Sequence, residues 1–172
     1  MLAVLYRLDG ARSAPIQPAL IRATRSPDES IATLAVMILA KQSRSPELLR
    51  ALVQAFRRPS PELIQQVAEA LFRFKAVKEL GTALRSAPLL LTRAYAASTL
   101  ARLGLEARPA LPPVLAALHD PARVVRLHAV SVLANLDHKA GLEEAARDKD
   151  PEVRQAAKRA LEECAPRDQE ER

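Results

Sequence analysis

Three histidines and one cysteine are the side chains best suited to chemistry, because imidazole and thiolate groups can act as bases, nucleophiles or metal ligands. His119, His128, His138 and Cys164 do not have the paired spacing of zinc ligands, so no metal site is predicted. A single cysteine also excludes a disulfide within the chain. We expect His128 and Cys164 to be structural, since they occupy positions of repeated helices. His119 and His138 are expected at helix ends, where a positive charge is favourable.

The other polar residues form no recognisable catalytic group. Ser98 and Ser131 have no partner base at a typical spacing, and no glycine-rich loop could hold a phosphate. Neighbouring glutamates, at 143–144 and 162–163, diverge on a helix and are expected to be solvated. The sequence therefore predicts a protein that is not an enzyme and that needs no cofactor.

The composition favours a helical protein. Of the 172 residues, 49% are hydrophobic, mostly Ala and Leu, and only 3% are aromatic. Ala and Leu lose little side-chain entropy in a helix. No apolar run is long enough to cross a membrane, and the apolar start has no basic leader, so we expect a cytoplasmic protein.

A helical pattern recurs about every 30 residues along the chain. DPARVVRLHAVSVLANL begins at Asp120, and DPEVRQAAKRALEEC begins at Asp150. In each recurrence three apolar or small residues are spaced i, i+4, i+8, which lines one side of a helix. The last residue of each triplet is a leucine that we expect to be buried: Leu39, Leu71, Leu100, Leu133 and Leu161.

Four of these five helices start with a capping residue followed by proline, whereas Ala87-Pro88 has the proline without the cap. The cap side chain accepts a free amide hydrogen of the first turn, and proline has none to lose there. We expect Ser26, with Glu29 completing a capping box, and also Ser60, Asp120 and Asp150 to cap their helices.

A second helix of each pair precedes the repeated one. These segments are predicted at 15–25, 46–58, 75–85, 108–118 and 139–147. Pro112 and Pro113 predict a bend or a late start in the fourth of them, and Gly104 is predicted to end the helix before it in a left-handed conformation. The result is an all-α α-solenoid of five helix pairs, at about 15–42, 46–74, 75–104, 105–137 and 138–164.

The phrase DPxxxVRxxAxxxLxxL resembles HEAT repeats, and most closely a bacterial subgroup with phycobilisome-lyase-like repeats. The resemblance implies a right-handed superhelix whose concave side is lined by the second helices. It also implies a ladder in which an Asp and an Arg six positions later connect the repeats. Asp120 and Arg126 have this spacing, Asp150 and Arg154 do not, and Arg93 has no evident Asp partner. Most such proteins are scaffolds, although a few are enzymes or bind nucleic acids.

The two ends differ from the repeats. Residues 1–10 resemble the end of a second helix and could be a truncated sixth repeat or a short cap helix, which we expect to pack through Leu2, Leu5 and Leu8. Residues 165–172 form a charged tail that we expect to fray.

Basic residues recur once per repeat in two series. One ends the first helices, at Arg25, Arg57/Arg58, Arg85 and Arg147, and the other ends the second helices, at Arg7, Lys41, Arg73 and Arg102. Each residue could offset a helix dipole, or the second series could bind an acidic partner.

Two functions remain open from the sequence. The first is a scaffold that binds a protein on its concave surface or basic edge, through Arg7, Lys41, Arg73, Arg102, Gln65, Glu69 and Ser98. The alternative is nucleic-acid binding by the basic N-terminal two thirds. Residues 1–103 carry 15 basic and seven acidic side chains, whereas residues 104–172 carry 11 and 13.

Overall fold

Residues 16–164, which the computed structural model describes, are helical with short connections and contain no strand. Within this range the prediction of ten main helices in five pairs is confirmed. They are α1 (Gln17–Ala23), α2 (Glu29–Leu39), α3 (Pro46–Ala55), α4 (Pro61–Arg73), α5 (Val77–Ser86), α6 (Leu90–Leu103), α7 (Leu111–Ala117), α8 (Arg123–Asn135), α9 (Lys139–Ala145) and α10 (Pro151–Glu163). A 3-10 segment, Gly104–Ala110, precedes α7.

The helices form two layers of an α-solenoid. The second helices, α2, α4, α6, α8 and α10, pack on one another in chain order, and each first helix packs on its own second helix. The first helices are less evenly packed: α5 lies closely against α7, but α1 and α3 touch at few points.

One continuous core runs between the layers. Leu39, Leu71, Leu100 and Leu133 are fully buried in equivalent positions, as predicted. Leu161 was expected to match them but is only partly buried. At the opposite end Ile31 is 39% exposed, whereas its counterparts in α4, α6, α8 and α10 are fully buried. Both differences arise because α2 and α10 have a neighbouring second helix on one side only, within the described residues.

Two of the predicted helix caps are wrong. Helix α2 is capped by Asp28, which accepts from the N–H groups of Ser30 and Ile31, while Ser26 accepts only from the N–H of Asp28. Helix α8 begins after Ala122 without a side-chain cap, because Asp120 lies two residues before the N-cap position and accepts from the N–H of Ala122. The caps Ser60 and Asp150 are confirmed.

The connections set the directions of the helices. Helix α7 starts late, with proline in its first turn, as predicted. Gly104 ends α6 with a φ of +58°, but its ψ of −130° places it outside the left-handed helical region. Lys75 and Asp137 occupy positive φ at equivalent turns after α4 and α8. The predictions for residues 1–10 and 165–172 lie outside the described residues.

Candidate functional site

A buried polar ladder connects the third, fourth and fifth repeats. Arg93 of α6 binds the carboxylate of Asp120, in the turn between α7 and α8, with Nε–Oδ2 and Nη2–Oδ1 distances of 2.6 and 3.2 Å. Its third nitrogen, Nη1, donates to the carbonyls of Ala87 and Pro88 in the turn that precedes α6. One guanidinium therefore stabilises the turn before α6 and binds the turn between α7 and α8.

Arg126 of α8 repeats this arrangement one repeat later. Its Nε and Nη2 bind Asp148, in the turn between α9 and α10, at 2.8 and 3.1 Å, and its Nη1 donates to the carbonyls of Asp120 and Pro121. The two side chains are only 4% and 8% exposed. Arg154 of α10 ends the ladder by donating to the carbonyls of Asp148 and Lys149.

The ladder differs from the one expected from sequence. Asp120 does not pair with the guanidinium of Arg126 through its carboxylate, and Arg93 does have an aspartate partner. The spacing of six instead separates each arginine from the carbonyl of its own turn to which it donates. Asp148 precedes Arg154 by six residues, but Asp150 matches Asp120 better in sequence, because both precede a proline.

Each aspartate of the ladder also shapes its own turn. Oδ1 of Asp120 accepts from the N–H of Ala122, and Oδ1 of Asp148 accepts from the N–H of Asp150. Burial would raise the pKa of Asp148, but the hydrogen bonds from Arg126 and Asp150 and the positive charge of Arg126 outweigh it and lower this pKa. Asp148 is therefore a structural carboxylate held in its ionised form.

The groups with potential for chemistry have structural surroundings. His128 is half-buried, as expected, and burial lowers its pKa. Cys164 ends α10 with Sγ 3.3 Å from Oδ1 of Asp137, and its pKa is raised by burial and by the neighbouring carboxylate. A raised thiol pKa disfavours the reactive thiolate.

The remaining histidines differ from each other. His119 lies 3.0 Å from Glu144 at the surface. His138 caps the start of α9, where its Nδ1 accepts from the N–H of Gly141. The expectation that a cation is favourable there is wrong, because this nitrogen must be unprotonated to accept and the N-terminal end of a helix dipole is positive.

The exposed side of the second helices holds the predicted binding residues, and we call it the second-helix face. Three positions per repeat make up this face, and the first of them varies: Thr33 is buried, whereas Gln65 is exposed. The other two members are exposed or half-exposed in all five repeats. They are Met37 and Lys41, Glu69 and Arg73, Ser98 and Arg102, Ser131 and Asn135, and Arg159 and Glu163.

Contacts between repeats order part of this face. Nη1 of Arg102 lies 3.0 Å from Oε2 of Glu69, and its guanidinium stacks 4.1 Å from the centre of the Phe72 ring. One repeat further, Nδ2 of Asn135 donates to the carbonyl of Ala101 at 2.8 Å. The residues that end α6 and α8 thus each reach back to the preceding second helix.

The other predicted binding residues are not in these contacts. Lys41 and Arg73 are exposed at the ends of α2 and α4, and Ser98 is half-buried in the middle of α6. Arg7 lies outside the described residues. Within residues 16–164, no group of acidic, histidine or cysteine side chains could hold a metal ion. The helices in this range are also too short or too polar to cross a membrane.

The sequence of the C-terminal three repeats identifies the family. A family model for HEAT repeats matches residues 77–162, which is half of the chain. The chain belongs to the HEAT-repeat family. The match begins at α5 and contains the whole arginine–aspartate ladder of this HEAT protein. A search of curated protein sequences found no match.

Solved structures with the same fold include natural and designed repeat proteins. The complex of CpcE and CpcF of phycocyanin lyase from Nostoc sp. PCC7120 is 18% identical, with a TM-score of 0.59 over 86% of this chain and 98% of that one. A structure on microtubule plus end tracking by XMAP215, CLIP-170 and EB1 is 16% identical, with a TM-score of 0.63 over 95% and 80%. A designed armadillo repeat protein in complex with the peptide (KR)4 is 19% identical, with a TM-score of 0.56 over 88% and 83%. At these identities the similarity shows the fold alone.

Proposed function

We propose that this HEAT protein is a non-enzymatic scaffold that binds a partner protein on its second-helix face. The observation that supports the proposal is that two positions of this face are exposed or half-exposed in every repeat. One residue per repeat at two positions makes a continuous strip along the solenoid, and repeat proteins use such strips as extended binding surfaces.

The chemistry of the strip suits a protein partner. Basic residues (Lys41, Arg73, Arg102) dominate its first three repeats, and they alternate with Glu69, Ser98 and the apolar Met37, which is 46% exposed. A partner with carboxylates and apolar side chains matches this mixture. Nucleic-acid binding is less favoured, because bases need exposed aromatic rings for stacking and Phe72 is covered by Arg102.

The absence of catalysis is part of the proposal. Its support is that the most buried ion pair of the described residues, Arg126 with Asp148, connects repeats to one another. A cytoplasmic location likewise stays a prediction from sequence.

The experiment compares partner binding by two variants with the same change in charge. Lys41→Glu with Arg73→Glu alters the second-helix face and leaves the contacts of Arg102 intact. Arg85→Glu with Arg147→Glu is the control, because these exposed residues end the first helices. Proteins that co-purify with tagged wild-type chain are quantified by mass spectrometry for each variant.

We expect the first variant alone to lose a specific partner while its melting temperature stays unchanged. Equal retention of that partner by both variants would refute the second-helix face as its site. A lower melting temperature with intact binding would mean that Lys41 and Arg73 only stabilise their helices. A gel-shift titration with single-stranded and duplex oligonucleotides over a range of salt concentrations tests the alternative.

A further inference from the structure

A groove on the opposite layer of the solenoid has the features of a second binding site. It follows α3 between α1 and the first turn of α5 and has a volume of about 1220 Å³. The groove exists because α1 has only seven residues and touches α3 at few points, so that one side of α3 is not covered by any of residues 16–164. We call it the arginine groove, after the four side chains in its lining: Arg25, Arg44, Arg50 and Arg58.

Two of these arginines are oriented by hydrogen bonds to backbone carbonyls of other helices' ends. Nη1 of Arg58 donates to the carbonyl of Thr24 at the end of α1, and Nη1 of Arg44 donates to the carbonyl of Phe74 after α4, both at 3.1 Å. A guanidinium has five N–H donors, so donors remain for a ligand. Because the bonds hold the side chains in place, less side-chain entropy is lost when a ligand binds.

The acidic residues of the groove leave an excess of positive charge. Only Glu47 and Glu79 accompany the four arginines in its lining. Glu47 pairs with Arg50 at 3.0 Å, but both side chains are mostly exposed, at 63% and 74%, so a carboxylate from a ligand can replace it. Oε2 of Glu79 is buried and has no hydrogen-bond partner among the described residues. This atom needs a donor, which a backbone N–H of a bound chain can supply.

The floor of the groove is apolar. Leu49 and Ala51 are buried, whereas Val53 is only partly covered. An apolar floor between charged walls fits a chain with alternating aliphatic and acidic side chains, as in other peptide-binding grooves.

We propose that the arginine groove binds an acidic, leucine-containing peptide segment of a partner protein. The carboxylates of the segment bind the arginines, its leucines cover Val53 and Leu49, and a backbone N–H satisfies Glu79. This site is independent of the second-helix face, since its lining comes from the first helices α1, α3 and α5 and from the residues that flank α3.

The test is fluorescence anisotropy with the full chain and a labelled peptide of alternating Glu and Leu. Arg25→Glu with Arg50→Glu should weaken binding about tenfold or more, because two charged contacts are lost. The control pair, Arg85→Glu with Arg147→Glu, makes the same change in net charge outside the groove and should leave the affinity within about twofold. Circular dichroism melting shows whether each variant is folded.

Two further probes separate a peptide site from simple charge attraction. A peptide with Ser in place of Leu should bind more weakly, and inorganic phosphate at matched ionic strength should not displace the Glu–Leu peptide. Three outcomes would each overturn the proposal. They are an equal loss of peptide affinity in both variant pairs, equal affinity for the Ser peptide, and displacement of the Glu–Leu peptide by phosphate.

Discussion

Arg126 holds Asp148 across the boundary between the fourth and fifth repeats, through two N–O contacts of 2.8 and 3.1 Å that are almost closed to solvent. The same guanidinium closes the turn before its own helix by binding the carbonyl of Asp120. A single side chain therefore fixes both the local turn and the position of the next repeat.

Asp148→Ala should lower the free energy of unfolding by about 3–5 kcal/mol, because it leaves the charge of Arg126 buried without its partner. Urea unfolding followed by circular dichroism measures the loss. Glu152→Ala is the control, since Glu152 pairs with Arg123 at the surface, with side chains 61% and 52% exposed, and should cost no more than about 1 kcal/mol. Equal losses for the two variants would show that the ladder adds nothing beyond a surface ion pair.

The stabilisation of the fold by Asp148 should be lost on acidification. Its pKa in the folded protein lies below its ordinary value of 3.8, so the ionised form stabilises the fold above that value. The contribution is lost as the pH falls through the lower, folded-state pKa. Stability curves of wild type and Asp148→Asn should thus run parallel near neutral pH and converge on acidification. A difference that grew towards low pH would contradict the lowered pKa.

Leu133→Ala should cost about 2–5 kcal/mol, because the leucine is fully buried among stacked helices and its truncation leaves a cavity. Leu161→Ala removes the same atoms from a partly exposed position at the last repeat and should cost less. Thermal and urea unfolding of both variants test the order. The reverse order would mean that the last repeat is covered by a further element.

Gly141→Ala should be destabilising by about 1–3 kcal/mol, although alanine is the better helix former. The new methyl group would lie 2.9 Å from Nδ1 of His138 and 3.0 Å from Cδ1 of Leu133. Gly81→Ala is the matched control, because its nearest neighbour, Cγ of Pro113, lies 3.1 Å away at the edge of a proline ring and the next contact is 3.4 Å. We expect a smaller loss there, measured by chemical unfolding.

Arg102→Ala should lower the stability by at most about 1 kcal/mol, since its pair with Glu69 and its stacking on Phe72 are half-exposed. Arg73→Ala, at the equivalent end of α4, should have a smaller effect. Melting temperatures of the two variants distinguish a structural residue from one available to a partner. A larger loss of stability for Arg73→Ala would mean that Arg73 is the structural residue and Arg102 is the one available to a partner.

The sequence was sufficient for the helices and for the interior leucines, because both follow from a period that recurs five times. It was not sufficient at the ends: Ile31 and Leu161 occupy core positions by pattern, but burial also requires a neighbour on each side. The caps failed where the helix begins later than the pattern indicates. Ser26 and Asp120 have the residue type of a cap, but each lies two residues before the N-cap of its helix.

The sequence predicts one of the two proposed binding surfaces and not the other. Exposure along the second-helix face follows from helical spacing, so Gln65, Glu69 and Arg73 could be placed from sequence. The arginine groove could not, because it depends on how far α1 stands from α3. Its only signal in the sequence was the basic series containing Arg25 and Arg58, which also fits dipole compensation.

The arginine–aspartate ladder also makes the boundaries between the C-terminal repeats stiffer than those between the N-terminal repeats. Paired, directional bonds join the third repeat to the fourth and the fourth to the fifth. In the first two repeats the positions of the ladder arginines hold Ala32 and Ile64, and no arginine of their described residues makes a two-bond ion pair with a neighbouring repeat; Arg58 instead makes one hydrogen bond to the carbonyl of Thr24. Apolar contacts permit small rotations that a two-bond ion pair resists. The curvature of the N-terminal repeats can therefore adjust to the shape of a bound surface while the C-terminal repeats keep theirs.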